Sequence, residues 1–129
     1  MKNIPLYEVR QIHDLKAMLA GSAEIYGDKA AFLVKKTEGG PYVPVSFRTF
    51  KLEVDALGTA LMSLGLSGGR IAVIGENRYE WGVSYLATVN GTGVVVPLDR
   101  EIPQSELRGL VQRAQVDAII FSAAKARDV

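Results

Sequence analysis

The sequence predicts an α/β protein in which a small parallel βαβαβ sheet is flanked by helices and carries an antiparallel β-hairpin. Two observations predict this fold class. Three apolar runs, at residues 70–75, 93–98 and 117–122, alternate with segments of helical periodicity, which is the pattern of parallel strands joined by helical crossovers. Upstream, two short apolar runs flank the turn-rich segment TEGGP, as expected for a hairpin over residues 31–47.

The composition is that of one ordinary globular domain. The 129 residues include 15 Lys and Arg against 14 Asp and Glu, a formal net charge of +1, and no Cys. Because the charges are scattered, no binding surface for nucleic acid or for an anionic membrane is predicted. Disulfides and thiolate chemistry are excluded for this sequence. No apolar run approaches signal-peptide or membrane-spanning length, so we expect a cytoplasmic protein without a transmembrane segment.

The first predicted helix covers residues 13–26, and Gly27 follows it at the position of a left-handed cap. The residues that recur at helical spacing on one face of this helix are Leu15, Met18, Leu19, Ser22 and Ile25. In the second arm of the hairpin, Pro44 favours an edge position because proline cannot donate to the ladder.

Ser46 is the predicted N-cap of a second helix over residues 47–64. Its apolar face repeats every three or four residues and consists of Phe47, Phe50, Val54, Leu57, Leu61 and Leu64. Gly65, Gly68 and Gly69 then end the helix and lead into the first parallel strand.

After that strand, Asn77 and Glu80 stand three residues apart, which predicts a capping box for a helix over residues 78–90 that Gly91 ends. Trp81 and Tyr85 are predicted to lie in the core, because apolar residues surround much of this helix. Further along, Pro103 is expected in the first turn of the next helix, whose apolar face is Leu107, Leu110, Val111 and Ala114. The crossovers between the strands should be right-handed.

The turn after the first parallel strand is the natural place to look for a ligand, because open parallel sheets bind ligands beyond their carboxyl ends. A phosphate cradle needs several glycines, whereas here Gly75 stands alone and Glu76 would repel phosphate. The glycines at 65–69 and 91–93 lie at helix-to-strand turns, where we expect C-caps. No G-x-x-x-x-G-K-[ST] loop occurs in the sequence.

No other cluster predicts chemistry. His13 has no second His, Cys or acidic cluster at ligand spacing, so a metal role is not predicted. Asp99 and Glu101 are expected in a solvated loop, and Arg108 and Arg113 on an exposed helix face. The four serines considered, Ser22, Ser46, Ser84 and Ser122, lack a G-x-S-x-G context for nucleophilic catalysis.

The chain closely resembles the opening of the AMP-forming acyl-CoA synthetases, most of all the long-chain fatty-acid CoA ligases. The agreement keeps order and spacing through most of the chain. It is carried by Asp14-Leu15, Tyr26-Gly27-Asp28-Lys29-Ala30-Ala31, Ser46-Phe47, Leu64-Gly65-Leu66, Gly69-Arg70-Ile71-Ala72-Val73, Glu76-Asn77-Arg78, Glu80-Trp81, Ala87, Gly91, Gly93, Val96-Pro97-Leu98 and Glu106-Leu107. Thr49 departs from the family pattern, because an acidic residue would complete a capping box there.

This resemblance implies a fragment of the large N-terminal domain of the adenylate-forming fold. We expect one partial domain over residues 1–129, with the first helix in 1–27, the hairpin in 30–47 and the parallel core in 48–129. The family activates a carboxylic acid with ATP and Mg²⁺ and transfers the acyl group to CoA. Its phosphate loop, Tyr-Gly-x-Thr-Glu motif, ribose-binding Asp and catalytic Lys have no counterpart in this sequence. No catalytic, cofactor-binding or metal-ligating residue is therefore assigned.

The resemblance implies fatty acid, ATP and CoA as partners of the parent enzyme, and an inactive 129-residue part. Apolar surface at the sheet edge would favour a homo-oligomer. Two alternatives remain open at this point. One is a stand-alone binding or oligomerisation module on the same scaffold, and the other is a small Rossmann-type nucleotide binder, which the lone Gly75 disfavours. Because the segment FSAAKARDV has the pattern of a starting helix, we expect the chain to be part of a longer protein.

Overall fold

The computed structural model describes residues 7–129, and it confirms the predicted α/β class. The hairpin forms its own antiparallel sheet, and the other three strands form a parallel sheet in the order β4-β3-β5. The elements are α1 (Leu15–Tyr26), β1 (Ala30–Lys35), β2 (Tyr42–Ser46), α2 (Phe47–Ser63), β3 (Arg70–Ile74), α3 (Tyr79–Ala87), β4 (Val94–Leu98), α4 (Gln104–Arg113) and β5 (Ala118–Phe121).

The centre of the parallel sheet is β3. Its residues from Ile71 to Ile74 are buried, and it pairs with β4 through Ile71↔Val95 and with β5 through Ile71↔Ala118. The edge strands are only half-buried, because each lacks a neighbour on its outer side within the described chain. Of the three predicted parallel strands, β3 is therefore buried, whereas β4 and β5 are only partly buried.

One aromatic side chain of the hairpin packs against the core. Phe32 pairs with Val45 across the hairpin, and its ring meets Phe50 of α2 at 4.8 Å and Tyr79 of α3 at 5.1 Å between centroids. Such edge-on contacts favour aromatic pairs beyond their buried area. Phe32 thereby ties the antiparallel sheet to the two central helices.

The second helix begins where the sequence predicts. Ser46 Oγ accepts a hydrogen bond from Thr49 N at 3.0 Å, so Ser46 is the N-cap. Phe50, Val54 and Leu61 are buried in the core. The apolar repeat of α2 thus faces the inside, apart from Leu64, which follows the helix and is 75% exposed.

The first helix begins slightly later than predicted, because Asp14 caps it. The carboxylate of Asp14 accepts from Ala17 N at 2.6 Å, and Gly27 adopts φ +50° at the other end, as predicted. The predicted apolar face was partly wrong. Leu19 and Ala23 are buried, whereas Leu15 and Ile25 are 39% and 57% exposed.

The predicted capping box of Asn77 and Glu80 is wrong. The N-cap of α3 is Arg78, in an extended conformation and without a side-chain cap bond. Glu80 is then the second helical residue, one position too early to reach back as a capping box requires. Its carboxylate instead accepts from Arg78 Nε and from an Arg78 terminal nitrogen, both at 3.1 Å.

The helix after β3 is also shorter than predicted. Regular α-helix ends at Ala87, and a π-helical turn over Thr88–Thr92 follows, in which Gly91 takes φ +145°. The buried hydroxyls of Thr88 and Thr92 donate to backbone carbonyls of α3 at 2.9 Å, so no hydroxyl in the turn is left unpaired.

The second crossover differs from the prediction at one residue. Pro103 is the N-cap of α4 rather than a member of its first turn. Leu107 is buried, as its place on the apolar face predicts.

After β5 the chain forms one 3-10 turn, Ala123–Lys125. Across the part of the chain that the structure describes, no helix is long and apolar enough to cross a membrane.

Candidate functional site

A cleft of about 210 Å³ opens at the carboxyl ends of β3 and β5. We call it the strand-end cleft. Its polar lining comes from the turn after β3, the first two turns of α3 and the residues after β5. The lining residues are Val73, Ile74, Gly75, Glu76, Arg78, Glu80, Trp81, Ser84, Ile120, Phe121, Ser122 and Ala123.

Glu76 lies beside Ser122 in this cleft. The pKa of Glu76 lies below its ordinary value, chiefly because its own backbone N–H donates to the carboxylate. The Ser122 hydroxyl and the guanidinium groups of Arg78 and Arg100 lower it further. Ser122 Oγ is buried and has no hydrogen-bond partner of good geometry among the described residues, so its contact with Glu76 is an incomplete hydrogen bond. Glu76 is ionised at neutral pH.

The arginines at this end of the sheet are already paired. Arg78 forms a two-point ion pair with Glu80, and Arg100 lies 3.3 Å from Glu101. The pKa of Glu80 is lowered, chiefly by its own backbone N–H and further by Arg78. Two-point pairing holds the Arg78 guanidinium in one orientation.

Trp81 forms one wall of the cleft. Most of its surface is covered, as predicted, although it lies outside the fully buried core, and its ring stacks on Tyr85 with centroids 5.3 Å apart and planes 20° apart. Part of the indole stays exposed because α3 is covered on the side of Val83 and Ala87, which are buried, while Trp81 lies beside the open cleft.

The cleft does not fit the phosphates of ATP. A cradle for phosphate presents several backbone N–H groups to the anion, whereas this turn presents the ionised Glu76. Within residues 7–129 no group of three or more His, Asp or Glu side chains could hold a metal ion. We therefore derive no chemical step through ATP or Mg²⁺ from these residues.

The remaining serines and Asp99 weighed from the sequence make local hydrogen bonds, and of these only Ser84 lines the strand-end cleft. Ser22 accepts from Arg10 at 3.1 Å, Ser84 donates to Glu80 O at 2.7 Å, and Ser46 caps α2. Asp99 accepts from Glu101 N at 2.9 Å, which closes the loop after β4. His13, Arg108 and Arg113 are exposed.

One polar contact beneath the hairpin, between Tyr79 and Glu53, could not be predicted from the sequence. The Tyr79 hydroxyl donates to Glu53 Oε2 at 2.7 Å, on the wall of a groove between the hairpin and α3. Burial, together with this bond to Glu53, raises the pKa of Tyr79 well above its ordinary value. The two residues lie on different helices, so no spacing in the sequence could predict the pair.

Comparison with known proteins places this geometry in a family. Residues 19–129 match the sequence profile described as AMP-binding enzyme. The chain is 27% identical over 104 residues to the mitochondrial medium-chain acyl-CoA ligase ACSF2 of Mus musculus, covering 80% of this chain and 16% of that protein. It is 26% identical over 121 residues to fatty acyl-CoA synthetase A of Dictyostelium discoideum, covering 92% and 17%.

Solved structures show the same fold. The inhibitor-bound N-terminal domain of FACL13 from Mycobacterium tuberculosis superposes with a TM-score of 0.80 at 18% identity, covering 91% of this chain and 29% of that one. The anthranilate CoA ligase AuaEII in complex with anthranoyl-AMP gives a TM-score of 0.80 at 17% identity, covering 98% and 23%. The chain thus spans about a sixth of the two curated relatives above. Since the profile matches most of its length, the chain belongs to the AMP-binding enzyme family.

Proposed function

We propose that this chain is the N-terminal part of an AMP-forming fatty-acid CoA ligase with long-chain substrates, and that the part itself is not catalytic. The observation that carries the proposal is the family match over residues 19–129, together with curated relatives that are acyl-CoA ligases or synthetases. The residue pattern from Arg70 to Asp99 supports the long-chain assignment through its resemblance to the long-chain ligases.

The parent enzyme, on this proposal, uses fatty acid, ATP, Mg²⁺ and CoA to form acyl-CoA, AMP and pyrophosphate. We assign it to the cytoplasm. In an enzyme of this kind, positioning and electrostatic stabilisation of the phosphates and the acyl carboxylate do most of the work. The strand-end cleft supplies neither, so the role of this part is to form the scaffold on which the remaining sequence places its groups.

Residues 1–129 are on this view one partial domain, with a first helix in 1–27, a hairpin in 30–47 and a parallel core in 48–129. The contacts of Phe32 with Phe50 and Tyr79 support treating the hairpin and the core as parts of one domain.

The coding sequence downstream of Val129 and a substrate panel test this proposal together. An open frame that contains the glycine- and hydroxyl-rich phosphate loop is expected, and the encoded protein should release pyrophosphate with fatty acid and ATP. Pyrophosphate release should be faster with long-chain than with medium-chain acids. Faster turnover of medium-chain acids would contradict the long-chain assignment alone. A stop codon after Val129 would favour a stand-alone binding or oligomerisation module instead.

A further inference from the structure

The π-helical turn between α3 and β4 contains the one Asn-Gly pair of the sequence, Asn90-Gly91. The helix is interrupted at this pair, because Gly91 takes φ +145° and ψ −5°, a conformation that residues with a Cβ rarely adopt. Gly91 is exposed, and nothing lies within 4 Å of the position of an added Cβ. The peptide bond between the two residues therefore lies where the helix ends and water has access.

The side-chain amide of Asn90 is not fixed by hydrogen bonding at its oxygen. Asn90 Oδ1 is buried and accepts no hydrogen bond from the described residues. Such an acceptor is unfavourable, because it has lost water without gaining a donor. The other polar side chains of the turn, Thr88 and Thr92, donate to backbone carbonyls at 2.9 Å. The oxygen end of the Asn90 side chain is therefore held by packing alone.

An asparagine followed by a glycine can react with its own main chain. The backbone nitrogen of Gly91 would attack Cγ of Asn90, so that a new C–N bond forms and the Cγ–Nδ2 bond breaks. The amide proton of Gly91 leaves with Nδ2 as ammonia, and a succinimide ring remains. Water then opens the ring at either carbonyl and gives aspartate or isoaspartate, with no other co-reactant. Glycine favours the attack because it has no Cβ to shield its nitrogen.

The fold allows the main-chain rotation that this attack requires. In the middle of a regular helix, the hydrogen bonds of the neighbouring turns oppose rotation of a single peptide unit. Here regular α-helix ends at Ala87, and β4 does not begin until Val94. Only the short π-helical turn must open, and a segment of this kind opens at a lower free energy than the whole chain.

We propose that Asn90-Gly91 is a deamidation site of the folded chain, at which Asn90 converts through a succinimide to isoaspartate and aspartate. Opening of the π-helical turn, and not unfolding of the chain, supplies the reactive conformation. This inference does not rest on the proposed ligase function, and either can fail without the other.

The reaction changes the connection between α3 and β4. Thr92 Oγ1 donates to Ala87 O, and Gly93 N donates to Thr88 O, both at 2.9 Å. Isoaspartate at position 90 adds one methylene group to the main chain between these donors and acceptors. Both products also add a negative charge to the groove between α2 and the π-helical turn, which Asn90 lines.

Tryptic peptide mapping of the aged, folded 129-residue chain tests the proposal. Trypsin cleaves after Lys and Arg, so Asn77 lies in the peptide of residues 71–78 and Asn90 in that of residues 79–100. Asn77 is exposed and precedes Arg78, which makes it an internal control without a following glycine. In mildly alkaline buffer, Asn90 should deamidate at least about tenfold faster than Asn77. An isoaspartyl-specific carboxyl methyltransferase should methylate the peptide of residues 79–100. Equal rates, or no conversion at Asn90, would overturn the site.

Urea distinguishes local opening from global unfolding. Because opening of the turn exposes little surface, the rate at Asn90 should change little between buffer and urea concentrations below the unfolding transition. A reaction that needs the unfolded chain would accelerate steeply over the same range. A steep rise would therefore assign the reaction to the unfolded chain and overturn the proposal.

The matched variants are Asn90→Gln and Asn77→Gln, each of which lengthens one amide side chain without changing its charge. Glutamine must close a larger and less favourable ring, so it deamidates far more slowly. The more acidic species that ion exchange separates from aged wild type should be absent from Asn90→Gln and present in Asn77→Gln. Its persistence in Asn90→Gln would overturn the assignment to Asn90. The wild-type peptide map decides the matter even if a variant does not fold.

Discussion

Tyr79 connects three elements through one side chain. Its ring contacts Phe32 of β1 and Phe50 of α2, and its hydroxyl bonds to Glu53. From the sequence, Tyr79 is only an aromatic residue in the first turn of a predicted helix, because its contacts depend on how α2 and α3 pack. Such a residue contributes to stability in two separable ways, through its ring and through its hydroxyl.

Replacing Tyr79 by Phe should keep the ring contacts and remove the hydrogen bond to Glu53. We expect a loss of about 1 kcal/mol in the free energy of unfolding, since the bond has a charged acceptor but is partly accessible to solvent. Urea denaturation followed by circular dichroism measures the change. An unchanged midpoint would mean that water replaces the bond without cost.

Comparing Tyr79→Phe with the wild type also isolates the pH dependence of stability that Tyr79 causes. Because the pKa of Tyr79 is raised in the folded chain, the folded state holds the phenol proton more tightly than the unfolded state, whose pKa is about 10. The contribution is therefore fully present below about pH 10 and is lost as the pH rises toward the folded-state pKa. Above pH 10 the wild type should lose stability more steeply than Tyr79→Phe, whereas parallel curves would contradict the coupling.

The sequence predicted the burial of Trp81 only in part. An apolar residue on a helix with apolar neighbours predicts a core position, but the open strand-end cleft leaves part of the indole exposed. Trp81→Ala should therefore cost about 2 kcal/mol in the free energy of unfolding, less than the 3–5 kcal/mol typical of a buried Trp. Chemical denaturation measures the loss, and a value in the full-core range would show that the cleft is closed in solution.

At the scale of elements, periodicity predicted the strands and helices well and the ends poorly. The apolar repeat of α2 and the buried run of β3 both depend on many residues, so single exceptions do not matter. A cap depends on one or two residues. Asn77 and Glu80 had the required spacing, but the helix begins at Tyr79, and the pair of Arg78 with Glu80 replaces the capping box.

The role of Gly93 was also predicted wrongly, because it too depends on a single contact. The sequence predicted a C-cap at the glycines near residue 91, and Gly91 does adopt positive φ. Gly93 has extended backbone instead, and its role is close approach. A Cβ added there would lie 2.1 Å from the carbonyl oxygen of Gly69, at the contact between the two strand starts where Val94 N donates to that carbonyl at 2.9 Å.

Gly93→Ala should therefore destabilise the chain by about 3 kcal/mol or more, because backbone must move to admit the methyl group. Gly109→Ala is the matched control. Gly109 lies inside α4 with nothing within 4 Å of an added Cβ, so the substitution should stabilise the chain by about 0.5–1 kcal/mol through helix propensity. Thermal denaturation of both variants checks the prediction, and equal effects would contradict the close-approach role.

At the scale of the whole molecule, the sequence predicted more of the fold than of the site. The strand-end position of the cleft followed from the parallel topology, and the repulsion of phosphate followed from Glu76. The residues that form the walls of the cleft could not be predicted from the sequence. Ser122 stands far from Glu76 in sequence, and only the pairing of β3 with β5 brings the two together. Contacts between distant elements require the tertiary structure.

The isolated chain should bind ATP·Mg²⁺ weakly or not at all. The strand-end turn presents the Glu76 carboxylate where a nucleotide site presents backbone N–H groups. Calorimetry with ATP·Mg²⁺ should give no measurable heat of binding, and a pyrophosphate-release assay with fatty acid should give no product. Micromolar binding or turnover by folded 129-residue chain would overturn the non-catalytic role proposed for this part.

The central place of β3 has a consequence for the dynamics of the molecule. Its amides lie between β4 and β5, and its residues from Ile71 to Ile74 are buried, so fraying of either sheet edge does not expose all of them to solvent. Amide hydrogens in such a position exchange only when a large part of the structure opens. The slowest deuterium uptake in the chain then reports the global free energy of unfolding, while the outer amides of β4 and β5 exchange through smaller local openings.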